Sequence, residues 1–547
     1  MSATTTPYRM SPEHRRVFVG LMLGMLVASI SQTIVGPALP RIVAELGGME
    51  HYSWVATAAM LVSAVTVPIV GKLSDLYGRR SFYIAGISVF MLGTVFAGFA
   101  QSFWMLIAAR AIQGLGMGTL MPLSQTIIGD IIPPRQRGKY QGIMGAVFGL
   151  TSVAGPLAGG LITDHLGWRW LFFVTLPIGL LVLVFITKFL HLPHEPRRAK
   201  IDYPGIATLS TALVALLLAV SMGGSSWAWG SHTSLALFSL SVLSAAAFVF
   251  IELRASEPVL SLRLLTDRTI ALSLVSAFGI AMVMFGAIIY IPVYAQGVIG
   301  VDATNSGLIL IPLMLGFITC GILTGLMVTK TGHYRPFMLT GIAVMGLGVL
   351  LLTRLDHTAT EGQLTFAMVV LGIGLGMAMQ QYTMVVQNVV ARSDMGVATA
   401  STQFFRNVGS TVGIAVYGAV MTNGLAQQIA GHLPAGMAKG ASSGMDVGSV
   451  GSVLDPSTLD ELPDAVATAV RWGLAEKLGD AFSLGLPILL VVFVATFFIP
   501  HTPLRESTHE HPVEDAGREV LDADGDEWAE HHGETHLRDG LAAPRGG

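Results

Sequence analysis

The sequence predicts an all-α membrane protein with fourteen transmembrane helices, built as two six-helix repeats plus an inserted helix pair, with both termini in the cytoplasm. Three observations lead to this fold. Of 547 residues, 52% are hydrophobic and only 12% are charged, whereas soluble domains carry about 25% charged residues. Apolar runs of about 20 residues, enough to cross a bilayer, recur along the chain. A glycine pattern in the first part of the chain returns in the second.

The apolar runs define the spans in order. The first run is long and many follow it, so we expect a retained span and not a cleaved signal peptide. Cys320 is the single cysteine, which excludes an intrachain disulfide. The predicted spans are 17–39, 53–73, 82–100, 104–125, 139–162, 170–190, 204–222, 233–252, 269–293, 304–329, 335–353, 364–388, 398–422 and 480–500.

Lysine and arginine are unevenly distributed between the two sides of this arrangement. The connections on the side of the N-terminus carry 16 of them, between Lys72 and Arg392, and the short connections on the other side carry 3. Basic residues accumulate in cytoplasmic loops, and an even number of spans brings both ends to one side. Both termini are therefore predicted to be cytoplasmic.

The repeat is visible in glycine spacing. Gly71 and Gly78 are seven residues apart, as are Gly325 and Gly332. The repeat equates helices 1–6 with helices 9–14, a common plan in secondary transporters. An offset of 258 residues maps Gly114, Gly116, Gly118, Asp130, Gly138, Gly155 and Gly160 onto Gly372, Gly374, Gly376, Asn388, Gly396, Gly413 and Gly418. The predicted parts are the N-terminus 1–16, a bundle 17–200, inserted helices 201–265, a bundle 266–500 with an external loop 424–479, and a tail 501–547.

The connection between helices 2 and 3 reads Gly71-Lys-Leu-Ser-Asp75-Leu-Tyr-Gly78-Arg79-Arg80. The glycines permit a tight turn, and Asp75 can pair with the arginines or cap a helix N-terminus. A basic membrane anchor would explain the arginines, but neither Asp75 nor the glycines. The stretch resembles the helix 2–3 signature of the major facilitator superfamily, which implies a conformational latch.

Helix 4 carries a charge inside an apolar span. Arg110 is followed by Gln113 and Gly114 on the same helix face. A charge in lipid is costly and usually functional; the alternative is a structural arginine held by carbonyl groups. The segment resembles the superfamily's helix 4 motif, whose arginine is linked to proton coupling. No carboxylate lies near a predicted midplane, which leaves the proton carrier open; Asp130, near the cytoplasmic end of helix 4, is one candidate.

Helix 5 is rich in glycine. It contains Gly149, Gly155, Pro156 and Gly159, and such residues bend a helix and let a neighbour approach closely. Ordinary small-residue packing would give the same pattern. The stretch from Gly149 to Pro156 resembles the superfamily's antiporter signature, which implies an exporter.

Two further segments resemble fourteen-helix drug:proton antiporters of the EmrB/QacA type. Helix 1 ends in Ser31-Gln-Thr-Ile-Val-Gly-Pro-Ala-Leu-Pro40, and helix 13 contains Gln403-Phe-Phe-Arg406-Asn407. That subfamily usually has an aspartate where this chain has Ser31. Proton coupling, driven by the proton motive force without a cofactor, is therefore implied by the resemblance and not by a carboxylate in the spans.

A central cavity should draw on polar and aromatic side chains of the spans. A greasy pocket with aromatic faces and a few hydrogen-bonding groups suits amphipathic or cationic drugs; plain helix packing is the alternative role of each residue. The candidates are Gln32, Gln113, Gln125, Phe148, Tyr290, Gln381, Tyr382, Gln387, Asn388, Phe404, Arg406 and Asn407.

The two long polar segments are expected to be peripheral. Within the external loop, 463–478 reads as a helix that lies on the membrane surface or serves as a connector. Residues 501–547 hold 12 acidic residues against 4 Lys and Arg, which predicts a disordered tail. Its calcium-loop pattern fails because the twelfth position is Gly533 and not Glu, so no metal site is predicted.

These features predict a multi-pass transporter of the inner membrane that exports amphipathic or cationic drugs in exchange for protons. A dedicated exporter of one antibiotic or a lipid stays open, because Ser31 replaces the usual acid. The Gly155-Pro156 signature disfavours a nutrient importer, and a membrane sensor would leave Arg110 and the repeat unexplained. No nucleotide loop, nucleophile elbow or metal motif marks an enzyme. We expect small-molecule, proton and lipid partners, no nucleic acid, and a monomer.

Overall fold

The structure is a computed structural model that describes residues 10–47, 54–191, 201–223, 227–301, 309–422, 424–432, 464–500 and 502–504. Regular structure in these ranges is helical. We number fourteen of the helices α1 to α14: Pro12–Thr33, Trp54–Tyr77, Arg79–Gly98, Phe103–Ile131, Pro134–His165, Thr175–Phe189, Tyr203–Met222, His232–Glu252, Arg268–Tyr294, Ile311–Thr331, Arg335–Thr353, Glu361–Val389, Met395–Thr422 and Gly485–Phe497.

Thirteen helical stretches of the described chain are long and apolar enough to cross a membrane. α13 is not among them, although its 28 residues would reach across, because Gln403, Arg406 and Asn407 lower its hydropathy. The fourteen-span count and the cytoplasmic termini therefore stay predictions. The outer surface carries large apolar side chains such as Leu243 and Leu161, 69% and 63% exposed, which suits contact with lipid.

Local sequence explains where several helices begin and turn. Ser102 accepts a hydrogen bond from Met105 N–H at the start of α4, and Asp202 accepts one from Gly205 N–H at the start of α7. Such caps satisfy backbone donors that have no partner inside the helix. At the repeated turns, Gly78 and Gly332 have φ of 95° and 73°, values that residues with a Cβ rarely adopt.

Packing partners repeat between the first set, α1–α6, and the second set, α9–α14. In the first set α4 packs on α2 and α3, and in the second set α12 packs on α10 and α11. Gly114 lies against Ala59 of α2, and Gly372 lies against Leu313 of α10. The two glycines related by the sequence offset thus face corresponding helices.

The two sets meet mainly along two helix pairs, α5 with α10 and α2 with α13, with smaller contacts of α5 with α12 and of α4 with α13. The inserted helices α7 and α8 pack on each other, and α7 also touches α2 and α13. An ion pair of 2.6 Å between Lys72 on α2 and Glu257 after α8 ties the insertion to the first set.

The last span differs from its predicted form. The helix Asp464–Ser483 continues, after a break at Leu484, into α14, and it packs against α11 and α13. It is therefore an extension of the last span and not a separate surface helix. The predicted start at 480 was too late because charged residues interrupt the apolar run, while Leu474 and Leu478 of the same helix are fully buried. Residues 433–463 and the acidic tail 505–547 lie outside the described chain.

Candidate functional site

Asp75 joins the two helix sets at the end that the charge distribution assigns to the cytoplasm, here called the cytoplasmic end. Its side chain is 4% exposed. Oδ1 accepts a hydrogen bond from Gly396 N–H at 3.1 Å, and Oδ2 accepts one from Val397 N–H at 3.0 Å. These amides belong to the first turn of α13, where unpaired donors and the helix dipole favour a negative charge. Asp75 on α2 therefore caps a helix of the other set.

Arg79 neutralises the carboxylates around this cap. Its guanidinium donates to Asp75 Oδ1 at 2.8 Å and also bonds Asp130. Arg79 is 10% exposed and Asp130 is 5% exposed, so the three charges form a buried cluster. Asp130, a candidate proton carrier, lies in this cluster at the cytoplasmic end.

Arg137 and Gln387 make a second connection between the sets. Arg137 is 2% exposed and donates to Gln387 O of α12 at 3.1 Å, while holding Ile132 O of its own set at 2.8 Å. Gln387 Nε2 in turn donates to Gln125 O of α4 at 3.1 Å. Sequence reasoning counted Arg137 only as a cytoplasmic charge; its position directly before the repeated Gly138 was the available signal.

Glycines bring the helix pairs between the sets into backbone contact. A Cβ on Gly71 of α2 would lie 3.0 Å from Gly396 O of α13, and a Cβ on Gly138 of α5 would lie 2.8 Å from Gly325 O of α10. No side chain fits at either place without displacing a helix. We call the Asp75 cap, the Arg137–Gln387 connection and these glycine contacts the cytoplasmic latch.

Arg80 does not belong to this latch, contrary to the prediction. Its guanidinium donates to Thr187 O at 2.7 Å, within the first set. The motif's two arginines therefore have different partners, which spacing alone could not show.

Arg110 is 1% exposed and lies toward the opposite end of the first set. It donates to Val55 O at 3.1 Å and to Ser31 O at 3.2 Å, with Ser31 Oγ at 3.4 Å. Gln113 Oε1 accepts a further bond at 2.8 Å. Among the described residues no carboxylate makes an ion pair with Arg110, so its hydrogen-bond acceptors are uncharged oxygens. One neighbour of the guanidinium is Ser31, at the position where the resembled subfamily usually has an aspartate.

The glycines of α5 contact two different helices. A Cβ on Gly155 would meet Thr33 of α1, and one on Gly159 would meet Ile34, the residue after α1, whereas one on Gly149 would meet Ile318 of α10. Pro156 lies inside the helix. The antiporter-like segment thus packs α5 against both sets at once.

A central cavity of about 90 Å³ lies between the two sets. Six methionines line it: Met25, Met60, Met117, Met121, Met144 and Met379. Polar groups come from Ser29, Gln32, Ser63, Gln125, Gln380, Gln403, Arg406, Asn407, Ser410 and Thr411, and rings from Phe148 and Phe285. The methionines were not predicted, although the count of 26 in the chain was a signal.

The structure divides the predicted cavity residues. Gln32, Gln125, Phe148, Arg406 and Asn407 line the central cavity. The others lie elsewhere because of the rotation of their helices. Gln113 accepts a hydrogen bond from Arg110, Gln381 is buried but does not line the cavity, and Tyr382 is hydrogen-bonded to Thr496. Gln387 belongs to the latch, Asn388 donates to Pro503 O, and Phe404 packs against a buried apolar cluster that includes Leu209 and Leu213 of α7.

Tyr290 lines a second cavity of about 360 Å³. We call it the outer cavity; α2, α7, α9 and α13 enclose it, together with Trp229. It shares Met60 and Thr411 with the central cavity, so the two spaces adjoin. Within the described ranges no group of three or more His, Cys, Asp or Glu side chains is placed to hold a metal ion.

The sequence of residues 21–414 matches the family model of the Major Facilitator Superfamily. The chain is 36% identical over 515 residues to multidrug transporter protein MdtP of Bacillus subtilis, covering 91% of this chain and 95% of the relative. It is 34% identical to multidrug resistance protein 3 of the same organism, covering 90% and 96%. Efflux pump FUS6 of Gibberella fujikuroi is 32% identical, covering 74% and 75%. The human organic anion transporter MFSD10 has a similar fold, with a TM-score of 0.59 at 16% identity, covering 89% and 100%.

Proposed function

Because this chain belongs to the major facilitator superfamily, we propose that it is a membrane transporter, not an enzyme, which exports amphipathic drugs in exchange for protons. The observation that carries the proposal is a methionine-lined cavity between two helix sets, closed at the cytoplasmic end by the latch. Methionine side chains adapt to ligands of different shape. Of the relatives that match nearly the whole chain, one is named a multidrug transporter and another a multidrug resistance protein.

The cavity volumes support alternating access. The central cavity, at about 90 Å³, is smaller than the 300–1,000 Å³ of most ligand sites, so the sets must separate to admit a drug. Breaking the latch would open the cavity to the cytoplasm. The adjoining outer cavity of about 360 Å³ provides a route of release once the latch has closed.

Protons can act on this cycle through the latch. As a carboxylate, Asp75 accepts from two amides of α13 and pairs with Arg79, and Asp130 binds the same arginine. Protonation of Asp75 would remove the charge that accepts from the amides of α13 and so holds the two sets together. We propose that proton binding at this cluster favours opening toward the cytoplasm, in a chain where Arg110 lies beside Ser31 and not beside an acid.

The test compares two neighbouring glycines of α5. Cells are loaded with several unrelated fluorescent amphipaths, and loss of dye is followed with and without a protonophore at equal membrane abundance of each variant. Gly159→Leu should abolish export, because even a Cβ there would contact the backbone of Ile34 at the end of α1. Gly160→Leu is the matched control, since a Cβ at that position meets nothing within 4 Å.

The outcomes separate the alternatives. Loss of several dyes from wild-type cells and from the Gly160→Leu control, stopped by the protonophore, supports the proposal. Loss of every dye at the empty-vector rate would refute drug export, and export of one compound alone would favour a dedicated exporter. Export that continues with the protonophore would exclude proton exchange.

A further inference from the structure

Arg406 gives the central cavity its charge. Among the described residues that line this cavity, Arg406 is the only charged one and none is acidic. The side chain is 7% exposed, and its guanidinium donates to Thr383 Oγ1 of α12 at 3.3 Å. No ion pair joins Arg406 to a carboxylate in the part of the chain that the structure describes.

Neighbouring polar groups do not compensate this charge. Gln403 Nε2 donates to Asn407 Oδ1 at 3.0 Å, which joins these two amides on the same helix. The buried acids of the cytoplasmic latch, Asp75 and Asp130, are already bonded to Arg79. Arg406 therefore lies in a largely apolar space with hydrogen-bonding capacity left for a ligand.

The charge has a direct consequence for which ligands bind. In a cavity buried between the two helix sets, with methionine and phenylalanine side chains in its wall, the effective dielectric is lower than in water. An uncompensated guanidinium there attracts an anion and repels a cation more strongly than in water. Guanidinium also binds carboxylate, sulfonate and phosphate groups through paired hydrogen bonds. A cationic drug would find no carboxylate in the cavity wall to offset its loss of hydration.

We propose that the central cavity selects amphipathic compounds that carry an anionic group, and that Arg406 is the residue that binds this group. The inference rests on the proposed function only in placing the drug in this cavity. Within the broad class of amphipathic or cationic drugs expected from the sequence, it favours anionic over cationic members of equal size. The apolar part of the compound would lie against the six methionines.

The test measures equilibrium binding to the purified full-length protein in phosphatidylcholine nanodiscs, without a membrane potential or proton gradient. Three probes share one fluorophore and differ in charge: dansylglycine is anionic, dansylamide is neutral and dansylcadaverine is cationic. The wild type should bind dansylglycine at least about tenfold more tightly than dansylcadaverine. Arg406→Gln should weaken dansylglycine binding about tenfold, the loss of one hydrogen-bonded charge contact, and change dansylamide binding by less than about twofold.

Two control variants keep the result interpretable. Arg406→Lys retains the positive charge and should retain the order of preference. Gln403→Ala removes a neutral polar group from the same cavity wall and should affect all three probes alike. Dansylamide binding reports that each variant is folded.

The proposal is overturned if the wild type binds the cation as tightly as the anion, if Arg406→Gln weakens all three probes equally, or if none of the probes binds. This readout is independent of transport. A protein that prefers the anion but drives no proton-dependent export would refute the proposed function and leave this inference standing. A protein that exports dyes in a proton-dependent way but binds the cation as tightly as the anion would refute this inference alone.

Discussion

The Asp75 cap makes a sharp prediction, because it joins the two sets through only a few bonds. Asp75→Asn keeps the shape of the side chain and removes its charge. One oxygen can still accept from α13, but the second amide bond to α13 is lost and the remaining one no longer has a charged acceptor. The ion pair with Arg79 lies within the first set, so its loss does not by itself favour the open form. Bonds to charged groups contribute about 1.5–3 kcal/mol each. Allowing for what asparagine retains, we expect the closed latch to lose about 2–3 kcal/mol, a shift of about 30- to 150-fold toward the open form.

The shift can be measured by double electron–electron resonance between two spin labels attached to cysteines that replace Lys139 and Lys330. Both are exposed positions at the cytoplasmic ends of α5 and α10, and Cys320→Ser removes the native cysteine that would also be labelled. If about 1% of wild-type molecules are open, the variant should show about 20–60% in a longer-distance population. Arg80→Gln is the matched control, because Arg80 bonds Thr187 within its own set. A closed-to-open ratio that changes by less than about threefold would show that the cap does not hold the two sets together.

Two further predictions concern opposite ends of the molecule. Gly138→Val should open the cytoplasmic end in the same spin-label measurement, because a Cβ there would lie 2.8 Å from Gly325 O. Gly346→Val is the control and should leave the distance unchanged, because a Cβ there meets nothing within 4 Å. If both variants gave the same distances, the glycine contact would not be what keeps the cytoplasmic end closed. At the other end of the molecule, the hydrogen bond from Arg169 holds the pKa of Glu45 below its ordinary value of 4.5. The Glu45–Arg169 pair therefore stabilises the fold above pH 4.5, and this stabilisation is lost as the pH falls through the lowered pKa. Glu45→Gln should therefore lower the Tm modestly at pH 7, and the Tm difference should close in acid; a difference that persisted there would mean that the carboxylate charge is not its source.

Local rules account for what the sequence could determine. Apolar runs of membrane length located the spans, since a helix in lipid must satisfy its backbone internally. Gly78 and Gly332 were identifiable as turns because their backbone conformations suit glycine. The offset of the glycines predicted which helices correspond. Similarity over most of the chain then established the family.

The tertiary structure alone decided which side chains meet. Asp75 was recognisable as a cap, but its partner α13 is about 320 residues away in the chain. Asn388 and Arg406 were equal candidates for the cavity, yet only Arg406 faces it. The physical reason is that these spans are apolar on nearly every face, so periodicity does not mark an inner side; close packing of small residues sets the rotation of each helix, and that packing exists only in the assembled bundle.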